Sequence, residues 1–161
     1  LRRAGRFLAA TRDVERFRRQ VGDLSARVET SLGGLSEQVD AFRRGQLGVE
    51  AIAVDISASL EAVGRYADEA RSFRPPRDGL SIRDDIVAEL ERTARAIEMI
   101  EHGRSIQASA RSGGREVESQ TAIKRGYLNV LHARESIAHQ ARLAASLSPG
   151  GGIDRFQRRD A

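Results

Sequence analysis

No cysteine and no tryptophan occur in the 161 residues. Without cysteine there can be no disulfide scaffold, no thiolate metal site and no cysteine nucleophile. Aromatics are scarce, with five Phe and two Tyr, so most apolar volume must come from Ala, Leu, Ile and Val. That composition suits helices packed closely through small side chains. No run approaches 18 apolar residues, so no segment of the sequence reads as a membrane span. A secretory leader pattern is also missing. Lysine occurs once, at Lys124, against 26 arginines, a skew explained first by codon bias.

The net charge of +4 is unevenly placed. Residues 1–20 hold seven arginines against Asp13 and Glu15, a local +5, so the remaining residues sum to −1. The basicity belongs to the opening stretch, "LRRAGRFLAATRDVERFRRQ".

Glycine and proline divide the chain into four helical segments. Gly45 and Gly48 interrupt the first pattern, "RPPRDG" (74–79) the second and "SGG" (112–114) the third. "SPGGG" (148–152) closes the fourth. Helices are expected over about 1–44, 49–73, 82–111 and 115–147, with a polar, disordered tail over 148–161. Ser81 followed by Asp84 has the spacing of a capping box opening the third helix. No period-2 alternation suggests a strand.

The first segment carries Val14, Phe17, Val21, Leu24 and Val28 in heptad steps, then Leu32, Leu35, Val39 and Phe42 after one spacing of four. This is coiled-coil-like packing with a stutter at 28–32. Ile52, Ile56, Leu60, Val63, Ala67, Ala70 and Phe73 supply the matching stripe of the second segment. Paired antiparallel, facing residue numbers add to a near-constant value from Phe42–Ile52 down to Val21–Phe73. The third and fourth segments behave alike, from Ile86–Ala141 to Ile100–Tyr127, and centre on Gly113–Gly114. The predicted fold is therefore all-α: two antiparallel hairpins forming an up-down-up-down four-helix bundle. Residues 21–147 form the bundle. Residues 1–20 form a basic amphipathic helix protruding past Phe73 by roughly 30 Å at 1.5 Å per residue.

The histidines offer little chemistry. Glu98–His102 and Glu135–His139 are one turn apart, one residue longer than the Glu-x-x-His of dinuclear carboxylate bundles. His132 and His139 lie well away from the Ile123–Val130–Ile137 stripe and should face solvent as ordinary surface pairs. "AHQARLAAS" (138–146) resembles the motif of histidine phosphotransfer domains, with Arg142 three residues after His139. It departs at Leu143, where that family carries glycine. The resemblance implies phosphotransfer at His139, a minor alternative. No phosphate-cradling loop or catalytic constellation is present, so no enzyme activity, cofactor, metal or small-molecule substrate is expected.

Two arginines fall on heptad positions, Arg134 opposite Thr93 and Arg104 opposite Ile123. A buried unpaired guanidinium is prohibitive, so Arg134 and Arg104 must snorkel, pair with acids such as Glu89 or Glu91, or face another chain. With Thr93 they are expected to form a polar core layer that fixes register.

Function is expected in the opening stretch. "LRRAGRF" resembles the segment after a bacterial transmembrane helix, on its cytoplasmic side. With no initial Met, an upstream segment, with an anchor before Leu1, is the natural expectation. Arg2, Arg3, Arg6 and Arg12 would contact an anionic surface, and Phe7, Leu8, Val14 and Phe17 would supply apolar contacts. The expected role is a non-enzymatic scaffold or interaction module, the cytoplasmic part of a membrane-anchored bacterial protein. A protein partner or homo-oligomer through the first helix is compatible with this. A nucleic-acid-associated role for the basic arm is the runner-up, weakened by the absence of lysine, stacking aromatics or a DNA-binding motif there.

Overall fold

The computed structural model describes residues 2–109 and 113–149. Four helices succeed one another: α1 (Arg2–Arg43), α2 (Val49–Ser72), α3 (Leu80–Ala108) and α4 (Glu116–Ala145). No strand occurs among the described residues. From Gly150 onward the expected tail lies outside the described residues, as do Leu1 and residues 110–112.

Each helix ends for a local reason. In α1 the terminal carbonyls are met by a Schellman turn: Gln46 N–H donates to Ala41 O at 2.8 Å and Gly45 N–H to Phe42 O at 3.0 Å. The turn needs a residue of positive φ, and Gly45 supplies it at +74°. Helix α2 stops at Ser72 because Pro75 and Pro76 cannot continue it and disfavour helix at the residue before them. The chain then makes a single 3-10 turn, Arg77–Gly79, and runs directly into α3 at Leu80. The capping box expected at Ser81 does not form, since Ser81 already lies inside the helix and its cap position is Gly79, without a side-chain bond.

The helices close into a ring in which α1 meets α2, α2 meets α3, α3 meets α4, and α4 returns to α1. The seam between α3 and α4 is the most extensive. The core tracks the heptads: Val14, Phe17, Val21, Leu24, Val28, Leu32, Leu35, Val39 and Phe42 of α1 are all buried, on both sides of the 28–32 stutter. Ile52, Ile56 and Val63 of α2, Ile86, Leu90, Ile97 and Ile100 of α3, and Ile123, Val130 and Ile137 of α4 complete it.

Helices α3 and α4 approach so closely that side chains vanish at the crossing. A Cβ on Gly126 would stand 2.5 Å from Ile100 Cγ1 and 2.6 Å from Ala96 O. One on Gly103 would stand 2.6 Å from Ile123 Cγ1 and 2.7 Å from Ser119 O. Buried Ser119 donates from its hydroxyl to Gly103 O at 2.7 Å, tying the two backbones together. The sequence register, which sets Tyr127 against Ile100 and Arg104 against Ile123, is thus displaced by one residue. Glycines occupy those two places, while Tyr127 packs at the edge of the core and Arg104 stays largely buried beside the crossing.

Charged ties run over the remaining seams. Arg27 of α1 makes a two-pronged bond to Glu69 of α2, beside a 2.7 Å bond between the Ser31 and Tyr66 hydroxyls. Arg71 of α2 reaches Glu91 of α3 at 2.7 Å. Arg134 of α4 reaches Glu29 of α1 at 2.5 Å, and Arg43 stacks over the Tyr127 ring at 5.1 Å.

Candidate functional site

The structure shortens the overhang expected from the sequence. Val14 and Phe17, expected there as apolar contacts for a partner, are core residues at 4% and 0% exposure. The cause is the connection between α2 and α3. It folds back over α1, placing the Phe73 ring edge-on to Phe17 at 6.4 Å and the Gly79 backbone flat against it. Phe73 therefore caps the bundle one turn further along α1 than its expected partner Val21. The free part of α1 begins before Val14, and about twelve residues at 1.5 Å each project about 18 Å.

Within that projection, Arg2, Arg3, Arg6, Phe7, Leu8 and Arg12 are all exposed, Phe7 at 60% and Leu8 at 58%. The first acidic side chain is Asp13, at its base, which pairs with Arg16 at 3.5 Å. Ahead of it four arginines stand without a carboxylate in the sequence.

The apolar residues are not scattered. At about 100° of rotation per residue, Ala4, Phe7, Leu8 and Thr11 fall within one arc of roughly 100°. The Thr11 hydroxyl donates back to Phe7 O at 2.9 Å, so its polar group is satisfied inside the helix. Arg3 and Arg12 border the arc on either side, while Arg2 and Arg6 lie behind it. The core heptad does not point to Ala4 and Thr11. The signal that finds them is the i, i+3, i+4, i+7 spacing of the four residues taken alone.

The three residues expected to form a polar core layer are separated. Thr93 is buried, but its hydroxyl is spent on Glu89 O of its own helix at 2.7 Å. Arg134 turns to α1, where Glu29 receives it, and its guanidinium packs 3.5 Å from the position of a Gly33 Cβ. That pairing holds the Glu29 carboxyl below its ordinary range, chiefly through the hydrogen bond. Arg104 makes a two-pronged bond to Glu101 and donates to Val49 O at 3.3 Å, at the start of α2. Both guanidiniums are satisfied within the chain.

His132 and His139 are exposed, as expected, and so is His102. His102 Nε2 lies 3.4 Å from Glu118 of α4. His139 borders a shallow groove between α3 and α4 with Asp85, Glu89, Arg92, Glu135 and Arg142. That rim carries three carboxylates and two guanidiniums, with Arg92 bonded to Glu89. Among the described residues no cluster of three His, Asp or Glu could hold a metal ion. Nor, among them, is any helix long and apolar enough to cross a membrane.

The arrangement offers an exposed, acid-free, amphipathic helix end standing clear of a closed bundle. No protein-family model matches the chain, and neither a curated protein nor a solved structure does.

Proposed function

We propose that the protein is an interaction module in which the α1 overhang engages an anionic surface on the cytoplasmic side of a membrane, while the bundle serves as the scaffold behind it. The observation that supports this is the coincidence, on one projecting helix end, of four uncompensated arginines and two exposed large apolar side chains. Each basic residue at an anionic leaflet contributes on the order of 1 kcal/mol. The bundle contributes no competing positive field, because outside residues 1–20 the sequence is nearly neutral.

The test is flotation with vesicles that contain or lack anionic lipid. Binding to anionic vesicles that weakens as salt rises supports the proposal. Equal absence of binding to both vesicle types overturns it, and nanomolar binding to duplex DNA at physiological salt would put nucleic acid in its place.

A further inference from the structure

We infer that the overhang does not merely sit above anionic lipid but lies along it, with Phe7 and Leu8 inserted at the boundary between headgroups and acyl chains. The inference rests on the proposal above and goes further, assigning depth and a contacting face.

Two observations converge with a general rule. The apolar arc of Ala4, Phe7, Leu8 and Thr11 is continuous, and its one hydroxyl is turned inward to Phe7 O. Arg3 and Arg12 border that arc, where long side chains extend sideways to headgroup phosphates while their stems cover apolar surface. An amphipathic helix of this pattern places its apolar face a few ångströms below the headgroups and its charges beside them.

Charge decides among the candidate occupants. A second copy docking through the same arc would bring two sets of four arginines together, with no carboxylate ahead of Asp13 to separate them. A phosphate backbone would take the arginines but leave Phe7 and Leu8, each more than half exposed, without an apolar neighbour. An anionic bilayer surface accepts both chemistries at once.

The sequence makes depth measurable, since the chain has no tryptophan of its own. Phe7→Trp and Leu8→Trp variants each carry one reporter, and Val117→Trp, at a site 76% exposed at the opposite end of the bundle, carries the control. With anionic vesicles of brominated lipid, the first two are expected to shift to the blue and to be quenched several-fold, and the control to stay unchanged. Vesicle binding without quenching at residue 7 or 8 overturns insertion while leaving the proposed function standing. No vesicle binding overturns both. A blue shift in the absence of lipid, together with a doubled mass in sedimentation, would assign the arc to a second copy.

Paired substitutions test the orientation. Arg3→Gln/Arg12→Gln and Arg2→Gln/Arg6→Gln remove equal charge, but only the first pair borders the inserted face. The first is expected to weaken vesicle binding at least threefold more than the second. Equal losses would mean that the arm attracts lipid through net charge alone.

Discussion

The Arg134 guanidinium of α4 grips the Glu29 carboxylate of α1 with two nitrogens, Nη2 to Oε1 at 2.5 Å and Nε to Oε2 at 3.3 Å, beside the bare backbone of Gly33. This contact closes the ring, because it joins the first helix to the last. A Cβ at position 33 would stand 3.5 Å from Arg134 Nη2, an ordinary contact, so the guanidinium packs over Gly33 without excluding a small side chain there.

Replacing Arg134 with Leu should lower stability only modestly. The pair is partly open to solvent, Glu29 at 53% and Arg134 at 28% side-chain exposure. Pairs so exposed contribute about 0.2–1 kcal/mol. Self-association, measured by sedimentation, should not change, because the guanidinium is already bonded within its own chain. A change in oligomeric mass would reveal a second role for this arginine.

Acid should loosen the bundle at its ion pairs. Glu29 and Glu69 both titrate below their ordinary value of 4.5, each held down first by a guanidinium hydrogen bond, from Arg134 and Arg27 respectively. A carboxylate depressed in the folded state contributes stability that is complete above its unfolded pKa and is lost as pH falls through the folded one. The thermal midpoint should therefore be level near neutrality and fall below pH 4.5. A Glu29→Gln/Glu69→Gln variant should start lower and show a shallower fall, read by circular dichroism across a pH series.

Gly126→Ala should destabilise more than its size suggests. The added methyl meets backbone as well as side chain, with Ala96 O at 2.6 Å, and a backbone atom cannot swing away. Overpacking of this kind costs about 1–3 kcal/mol, and at about 2–4 °C per kcal/mol for a chain of this size it should be plain in a melting curve. Ser119→Ala, which removes only the bond to Gly103 O, should cost roughly 1 kcal/mol.

Phe17→Ala and Phe7→Ala should behave as residues of different domains. Phe17 is fully buried beneath Phe73, and its truncation should cost about 3–5 kcal/mol. Phe7 is free, so its truncation should stay within about 0.5 kcal/mol of the parent. Chemical denaturation of the two variants locates the boundary between bundle and overhang. Comparable losses would mean that the overhang is packed in solution.

The architecture is legible in the sequence because the apolar spacing of α1 and α2 is almost uninterrupted and because glycines and prolines mark every turn. Val28, Leu32 and Ile97 fall into the core on spacing alone. Spacing cannot supply contacts between helices that are not adjacent in sequence. Glu29, the partner of Arg134, sits 105 residues away, and no hairpin register points to it. The register of α3 against α4 slips by one because heptad reasoning seeks large side chains at a seam, whereas this seam is built on Gly103, Ser119 and Gly126. The overhang reads too long in the sequence because "RPPRDG" signals only a stop, and its return over Phe17 depends on tertiary packing of Phe73 and Gly79. Within the candidate surface, the arginines, Phe7 and Leu8 are visible directly. The arc they share with Ala4 and Thr11 emerges only once Val14 and Phe17 are assigned to the core.

Helix α1 runs unbroken from Arg2 to Arg43, with no residue of positive φ and no proline along it. The arm and the bundle consequently have no swivel between them. A twist imposed on the first two turns is carried to Phe42, 35 residues beyond Phe7, or roughly 50 Å at about 1.5 Å per residue. Whatever holds Phe7 and Leu8 also dictates which flank of the bundle faces outward. The helix thus behaves as a keyed shaft, fixing orientation as well as attachment.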